Sequence, residues 1–316
     1  MRRTLVFGFS ALALFVVGSG WLALYPPVPA DLDGARDLDP EARHVRIPVA
    51  TLDSLDGWLL PGRGRGLVLL LHGYGRAHDR VWRYADFLRP AGYTLLTCDF
   101  RSSRTIDRLP TTLGFYELQD AQAALEWLRG QPALAGRPIA VLGESLGGSV
   151  ALMLAARNPD VAAVVADCPF ASGRRALEDA YRRIAHLPAW PAVPLTRWVA
   201  TRLTGHDPGL VDVMPAARRL ADRPLYFIHS GEDDRMDPAQ ARDLWRAAGA
   251  KDSIWFIADA GHNEGWQRHR REYESRVLGF LDRRVGGAST IVAATERPIA
   301  TGPEPRERPK PAAGGR

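Results

Sequence analysis

Two cysteines in 316 residues exclude a scaffold held together by disulfides. The folded part of the chain also lacks a surplus of positive charge. The formal net charge is +5, but Arg2 and Arg3 stand at the start, and five basic against three acidic side chains lie beyond residue 285. That leaves 34 basic and 33 acidic residues between the ends. A nucleic-acid binder concentrates basic residues on its folded surface, so no nucleic-acid partner is expected. Metal-ligand spacing is missing too: His44, His78, His186, His206 and His269 stand apart, and no metal is expected. Gly62-Arg63-Gly64-Arg65-Gly66 lacks the Lys-Ser/Thr ending of a phosphate-binding loop and precedes a strand, so it reads as a turn.

Charge is absent altogether from residues 5–24, a stretch long enough to span a bilayer core. Arg2 and Arg3 precede it, Trp21 and Tyr25 mark its far end, and the first charges beyond are Asp31 and Asp33. The positive-inside rule then puts the amino terminus in the cytoplasm and the rest outside it, periplasmic or at the cell surface. The competing reading is a signal peptide cleaved at Val28-Pro29-Ala30, which would make the protein secreted, although the apolar run exceeds a usual signal core. Residues 1–30 are thus an anchor or signal segment ending in a Pro-rich spacer, Tyr25-Pro26-Pro27-Val28-Pro29.

With 46% hydrophobic and 24% charged residues, the remainder can build a sizeable core. Near-continuous apolar runs predict strands at 67–71, 93–98, 139–142, 161–166, 225–229 and 253–257, and helical patterns fall at 80–88, 114–129, 146–158, 238–248 and 266–284. Their alternation predicts a mostly parallel sheet covered by helices on both faces. Residues 44–49 and 57–60 read as an antiparallel pair joined through the Asp53-Ser54-Leu55-Asp56-Gly57 turn chemistry. The domain is placed at 31–285, with a helical lid inserted at about 171–222, and residues 286–316 are expected to be a disordered tail. Tyr181, Trp190 and Trp198 in the insertion are read as lid core, with an acyl pocket as the other possibility.

The chemistry begins at Gly143-Glu144-Ser145-Leu146-Gly147, between a strand and a helix. This is the G-x-S-x-G nucleophile elbow, in which a strained turn tolerates only tiny neighbours. A serine needs a base, and the base needs an orienting acid. His262, after the last strand, is the expected base. The acid lies in Glu232-Asp233-Asp234-Arg235-Met236-Asp237, where the spacing to Pro238 favours Asp234 over Asp233 and Asp237, and Glu232 is a turn residue. His72-Gly73-Tyr74-Gly75 follows a strand as well, so the backbone N–H groups of Tyr74 and Leu146 are the expected oxyanion donors.

These motifs resemble the α/β-hydrolase superfamily over residues 40–284. Asp56-Gly57-Trp58-Leu59-Leu60-Pro61, Thr111-Thr112-Leu113-Gly114 and Asp167-Cys168-Pro169-Phe170 look like its bacterial branch of serine aminopeptidases and monoacylglycerol-lipase-like esterases. The resemblance implies an α/β-hydrolase fold and a cofactor-free serine hydrolase acting on a small-molecule acyl ester or thioester. A peptidase, or a binding protein that keeps the fold without catalysis, is the alternative. A dehalogenase is disfavoured, because its nucleophile would be Asp where this chain has Ser145. Where the branch has Asp-x-Arg-Gly-x-Gly, this chain reads Asp99-Phe100-Arg101-Ser102-Ser103-Arg104, and Ser230 before Gly231 bears on the register of the acid loop. The superfamily's strand order also implies two strands between those carrying Cys98 and Cys168, a separation of about 14 Å that no disulfide crosses.

Overall fold

The computed structural model describes residues 18, 20, 21, 23–28, 39–104, 109–249 and 254–286. The antiparallel pair β1 (Arg43–Val49) and β2 (Leu52–Leu60) leads into β3 (Leu67–Leu71), and α1 (His78–Trp82) and α2 (Ala85–Leu88) precede β4 (Thr94–Cys98). Next come α3 (Phe115–Arg129), β5 (Ile139–Glu144), α4 (Leu146–Arg157) and β6 (Val161–Asp167). An insertion carrying α5 (Gly173–Asp179), α6 (Ala189–Thr204) and α7 (Met214–Arg219) separates β6 from β7 (Leu225–Ser230). The domain closes with α8 (Pro238–Ala247), β8 (Ile254–Ile257), α9 (Gly265–Arg268) and α10 (Arg270–Val285).

One sheet runs in the order β1-β2-β4-β3-β5-β6-β7-β8, parallel from β4 to β8. Its central strands are buried on both faces, which explains their unbroken apolar runs. Successive side chains point to opposite faces, so Leu67, Leu69 and Leu71 pack with α3, α4, α7 and α8. Val68 and Leu70 pack on the other side with α1, α2 and α10. In the edge strand β1, buried Val45 and Ile47 alternate with partly buried His44 and Arg46, as in a half-covered antiparallel strand.

The expected hairpin turn is corrected. Asp53 to Gly57 lie within β2, Ser54 to Gly57 pair with β1 while Asp53 sits at a register shift, and the chain reverses at Ala50-Thr51. Asp56 faces His44 and Arg46 across the ladder, so its charge is satisfied in a strand. The helical pattern at 80–88 is two short helices, and that at 266–284 is divided at His269. Cys98 and Cys168 are buried free thiols with β3 and β5 between their strands.

No helix among the described residues is long and apolar enough to cross a membrane. The body of the uncharged run, residues 5–17, and the expected tail beyond Gly286 lie outside the described residues. The end of that run rests on the domain. The Tyr74 hydroxyl donates to the Ala23 carbonyl at 3.0 Å, the Thr111 N–H donates to the Leu24 carbonyl at 2.8 Å, and Leu24 is buried. The reading of the aromatic cluster also changes: Tyr181 is buried with its hydroxyl 2.6 Å from Thr196, but Trp190 and Trp198 are 78% and 58% exposed.

Candidate active site

All the elements that carry the expected chemistry end at one edge of the sheet, where parallel strands deliver loops at their carboxyl ends. Ser145 stands between β5 and α4 with φ 53° and ψ −117°, a conformation costing on the order of 1–3 kcal/mol for a residue with a side chain. Its surroundings enforce it. A Cβ on Gly143 would come within 2.2 Å of the Gly147 carbonyl oxygen, and one on Gly147 within 2.2 Å of that of Leu71. The Ser145 N–H donates to the Asp167 carbonyl at 2.7 Å, tying the elbow to β6.

The His262 Nε2 lies 3.0 Å from the Ser145 Oγ, and its Nδ1 lies 2.6 Å from the Asp233 Oδ2. A carboxylate only accepts, so Nδ1 carries the proton and Nε2 presents its lone pair to the serine hydroxyl. The carboxylate that reaches His262 is therefore Asp233, in place of the expected Asp234, which is exposed. Two backbone bonds account for the register: the Gly231 N–H donates to the Ile257 carbonyl and the Glu232 N–H to that of Ala260. They pin the loop after β7 against the loop after β8 and present the next residue, Asp233, to the ring. Asp237, the other competitor, caps α8 through the Ala239 N–H. Burial alone would raise the Asp233 carboxyl. The His262 hydrogen bond and charge, with the Met236 N–H, outweigh it and hold Asp233 below the usual carboxylate range.

Gly73 passes hard against Ser145, since a Cβ there would lie 3.3 Å from that of the serine. Tyr74 follows it directly. Leu146 is the first residue of α4, where an N–H has no partner within the helix. The preceding His72 is structural: its Nε2 accepts from the Phe100 N–H, so its Nδ1–H donates to the Gly73 carbonyl, and burial pushes its pKa down. The glycine-free stretch after Asp99 folds without a left-handed residue, Arg101–Ser103 forming a single 3-10 turn. Arg101 is fixed there by Asp120, with Nη2 to Oδ1 at 2.5 Å and both side chains buried.

Sequence reasoning missed a second layer of groups. Arg83, from the loop after α1, donates to Glu144 Oε2 beside the serine and to the Asn263 carbonyl beside the histidine, the latter at 3.3 Å. It thereby links the two loops whose separation sets the Ser145 to His262 distance. The Tyr84 hydroxyl, which accepts from Arg83 at 2.9 Å, lies between Glu144 and Asp167, and Asp167 accepts from Tyr273 at 2.8 Å. Burial pushes Asp167 up, opposed by Arg83 and Tyr273. Asn263 holds φ 57°, a left-handed position that asparagine tolerates, and this was the one local clue. On the far side of Asp233, His229 is fully buried with its Nε2 3.6 Å from Asp233 Oδ2, and burial lowers its pKa to about 4. The donor atoms of Cys168, His229 and Asp233 lie within 4.8 Å of one another and could hold a metal ion, using the carboxylate that already serves His262.

The chain belongs to the alpha/beta hydrolase family, which it matches over residues 68–276. It is 29% identical over 263 residues to the uncharacterized protein Rv2307c of Mycobacterium tuberculosis, covering 81% of this chain and 84% of that one. It is 25% identical over 217 residues to the uncharacterized protein YqkD of Bacillus subtilis, covering 68% and 70% of the two chains. Among solved structures, the Pyrococcus furiosus esterase Pf2001 superposes with a TM-score of 0.68 at 25% identity, over 83% of this chain and 97% of that one. The Pyrococcus horikoshii acylaminoacyl peptidase shares the fold at 19% identity and a TM-score of 0.59, over 79% of this chain and 43% of that one.

Proposed function

We propose that the protein is a serine hydrolase that cleaves carboxylic ester or thioester bonds through an acyl-enzyme. The observation that carries this reading is the relay from Ser145 Oγ through His262 to Asp233, at 3.0 and 2.6 Å, on an elbow whose glycines admit no side chain. Ser145 attacks the acyl carbonyl as its proton passes to His262 Nε2, and the imidazolium that forms faces the Asp233 carboxylate. The N–H groups of Leu146 and Tyr74 receive the oxyanion. His262 then protonates the leaving alcohol or thiol, and water, deprotonated by the same nitrogen, releases the acid. Likeness to the Pyrococcus esterase supports an ester over a peptide bond. The uncharged run of residues 5–24, ahead of the last residues that rest on the domain, serves as a membrane anchor that holds the domain on the extracytoplasmic side, a reading supported by its lack of charge and by Arg2 and Arg3 ahead of it.

The test is hydrolysis of p-nitrophenyl esters of increasing acyl length by the detergent-solubilised full chain and by Ser145→Ala. Turnover lost with the hydroxyl supports the reading. A folded wild-type protein that turns over none of the series would move the protein to the non-catalytic binding class.

A further inference from the structure

Beneath the relay lie two side chains that the proposed reaction does not use. His229, near the end of β7, is fully buried, and among the described residues neither of its ring nitrogens has a hydrogen-bond partner. A buried polar group left unmet costs stability until something satisfies it. Its Nε2 stands 3.6 Å from Asp233 Oδ2, too far for a hydrogen bond. At zinc bond lengths of about 2.0–2.3 Å, by contrast, two ligands of one tetrahedral ion stand about 3.3–3.6 Å apart. The Cys168 thiol is buried beside them, and the three donor atoms lie within 4.8 Å of one another.

The three groups are held in place independently. Cys168 follows β6 at φ 50°, a left-handed position that residues with a side chain rarely take, and its N–H donates to the Ile228 carbonyl of β7 at 2.8 Å. Asp233 accepts from the Arg235 and Met236 N–H groups on Oδ1, which leaves Oδ2 to His262 and His229. Ser230 Oγ lies 3.6 Å from Cys168 Sγ, so its hydroxyl can donate to the sulfur once the thiol proton has left, and such partners tune a metal-bound thiolate. One imidazole, one thiolate and one carboxylate suit Zn²⁺, whereas Mg²⁺ and Ca²⁺ take oxygen ligands. The expected absence of a metal rested on local spacing, but Cys168 reaches the other two groups only through the pairing of β6 with β7.

We infer that Cys168, His229 and Asp233 bind Zn²⁺ beneath the relay, and that the bound ion switches the hydrolase off by taking its acid. The switching half rests on the serine-hydrolase reading, and the site half does not. On binding, the Cys168 proton passes to solvent as the Zn–S bond forms, with no change of oxidation state. The thiolate and the carboxylate then cancel the charge of the ion. His262 faces a neutral cluster where it had faced an anion, and the imidazolium that the reaction needs loses its counter-charge. Glu232 and Asp234, on either side of buried Asp233, are exposed, so an opening of this one loop admits the ion, and inhibition should deepen with preincubation.

The detergent-solubilised full chain is stripped with a chelator and titrated with Co²⁺, a spectroscopic stand-in for Zn²⁺. One equivalent should raise a thiolate-to-cobalt charge-transfer band in the near ultraviolet, and Zn²⁺ should displace it. The band should vanish in Cys168→Ala, need at least about tenfold more Co²⁺ in His229→Gln, and persist in Cys98→Ala, with circular dichroism verifying each fold. Zn²⁺ should also raise the urea midpoint of the wild type and not that of Cys168→Ala. On a short p-nitrophenyl ester, Zn²⁺ should lower kcat at least about a hundredfold and chelator should restore it, while Cys168→Ala turns over equally with Zn²⁺ and with chelator. A wild type without the band and the midpoint shift, or a band that survives Cys168→Ala, would overturn the site. Bound Zn²⁺ that leaves turnover unchanged would overturn the switch. A wild type that shows the band yet is inert toward esters in chelator would refute the hydrolase reading, and the switch with it, while leaving the metal site standing.

Discussion

Replacing Asp233 by Asn puts the relay under the sharpest test, because the side chain keeps its size and loses only its charge and one acceptor. Asp233 Oδ1 accepts from the Arg235 and Met236 N–H groups at 2.9 and 2.8 Å, while Oδ2 accepts from His262 Nδ1. An amide cannot serve both sides. If its oxygen keeps the two backbone donors, its NH2 meets His262 and forces the tautomer that points a proton at Ser145. If the oxygen turns to the ring, the NH2 confronts two buried N–H groups. The first outcome disarms the base, and in serine hydrolases with this arrangement it lowers kcat on the order of 10⁴-fold, about 5.5 kcal/mol at 1.36 kcal/mol per decade. Asp234, exposed beside it, changes kcat less than about twofold when replaced by Asn, as expected of a surface position. Initial rates on a short p-nitrophenyl ester at pH 8, with far-ultraviolet circular dichroism to verify folding, separate the two. A silent Asp233→Asn beside a crippled Asp234→Asn would refute the assignment.

Other expectations follow from the groups around the relay. Arg83→Gln leaves buried Glu144 only the more distant Arg80, at 3.5 Å, as a cation, so the unfolding midpoint in urea should fall by the equivalent of at most about 3 kcal/mol, and unchanged stability would show that Arg83 does not carry the link. Gly147→Ala places a methyl 2.2 Å from the Leu71 carbonyl and should abolish ester turnover, whereas Gly136→Ala, with open space around it but φ +74°, should cost only about 1 kcal/mol in thermal melts and keep activity. His229 has a folded pKa lowered to about 4 from 6.5, so as pH falls between these values the unfolded chain takes up the proton first. Its contribution is complete above pH 6.5 and falls away toward pH 4, by about 3 kcal/mol at 1.36 kcal/mol per unit. Wild type should therefore lose that much more stability than His229→Gln across this window in urea titrations, and parallel curves would contradict the burial argument.

The central strands and the elbow were legible because their signals are local. Five residues of Leu and Val buried on both faces read as a parallel strand wherever they occur, and Gly143 and Gly147 mark a turn that admits nothing larger. The β1–β2 turn was misread because Asp53, Asp56 and Gly57 have turn composition, while their place in a ladder depends on His44 and Arg46 across the sheet. The acid failed for a similar reason. Counting back from Pro238 treats the loop as a ruler, yet its register comes from the bonds of Gly231 and Glu232 to the loop after β8. Arg83, Glu144 and Asn263 meet across 61 and 180 residues of sequence, and no pattern within any one segment announces such a meeting. Trp190 and Trp198 look like core by composition, and only the path of α6 shows that they face outward.

The central claim is that Ser145 is a nucleophile activated by His262. A fluorophosphonate probe reacts with such a serine and not with an ordinary hydroxyl, so the full chain should be labelled stoichiometrically, with the adduct mapped by mass spectrometry to the peptide containing Ser145. Labelling should vanish in Ser145→Ala and fall at least a hundredfold in rate in His262→Ala. A folded wild-type chain that takes up no probe, or takes it up at another residue, would contradict the account.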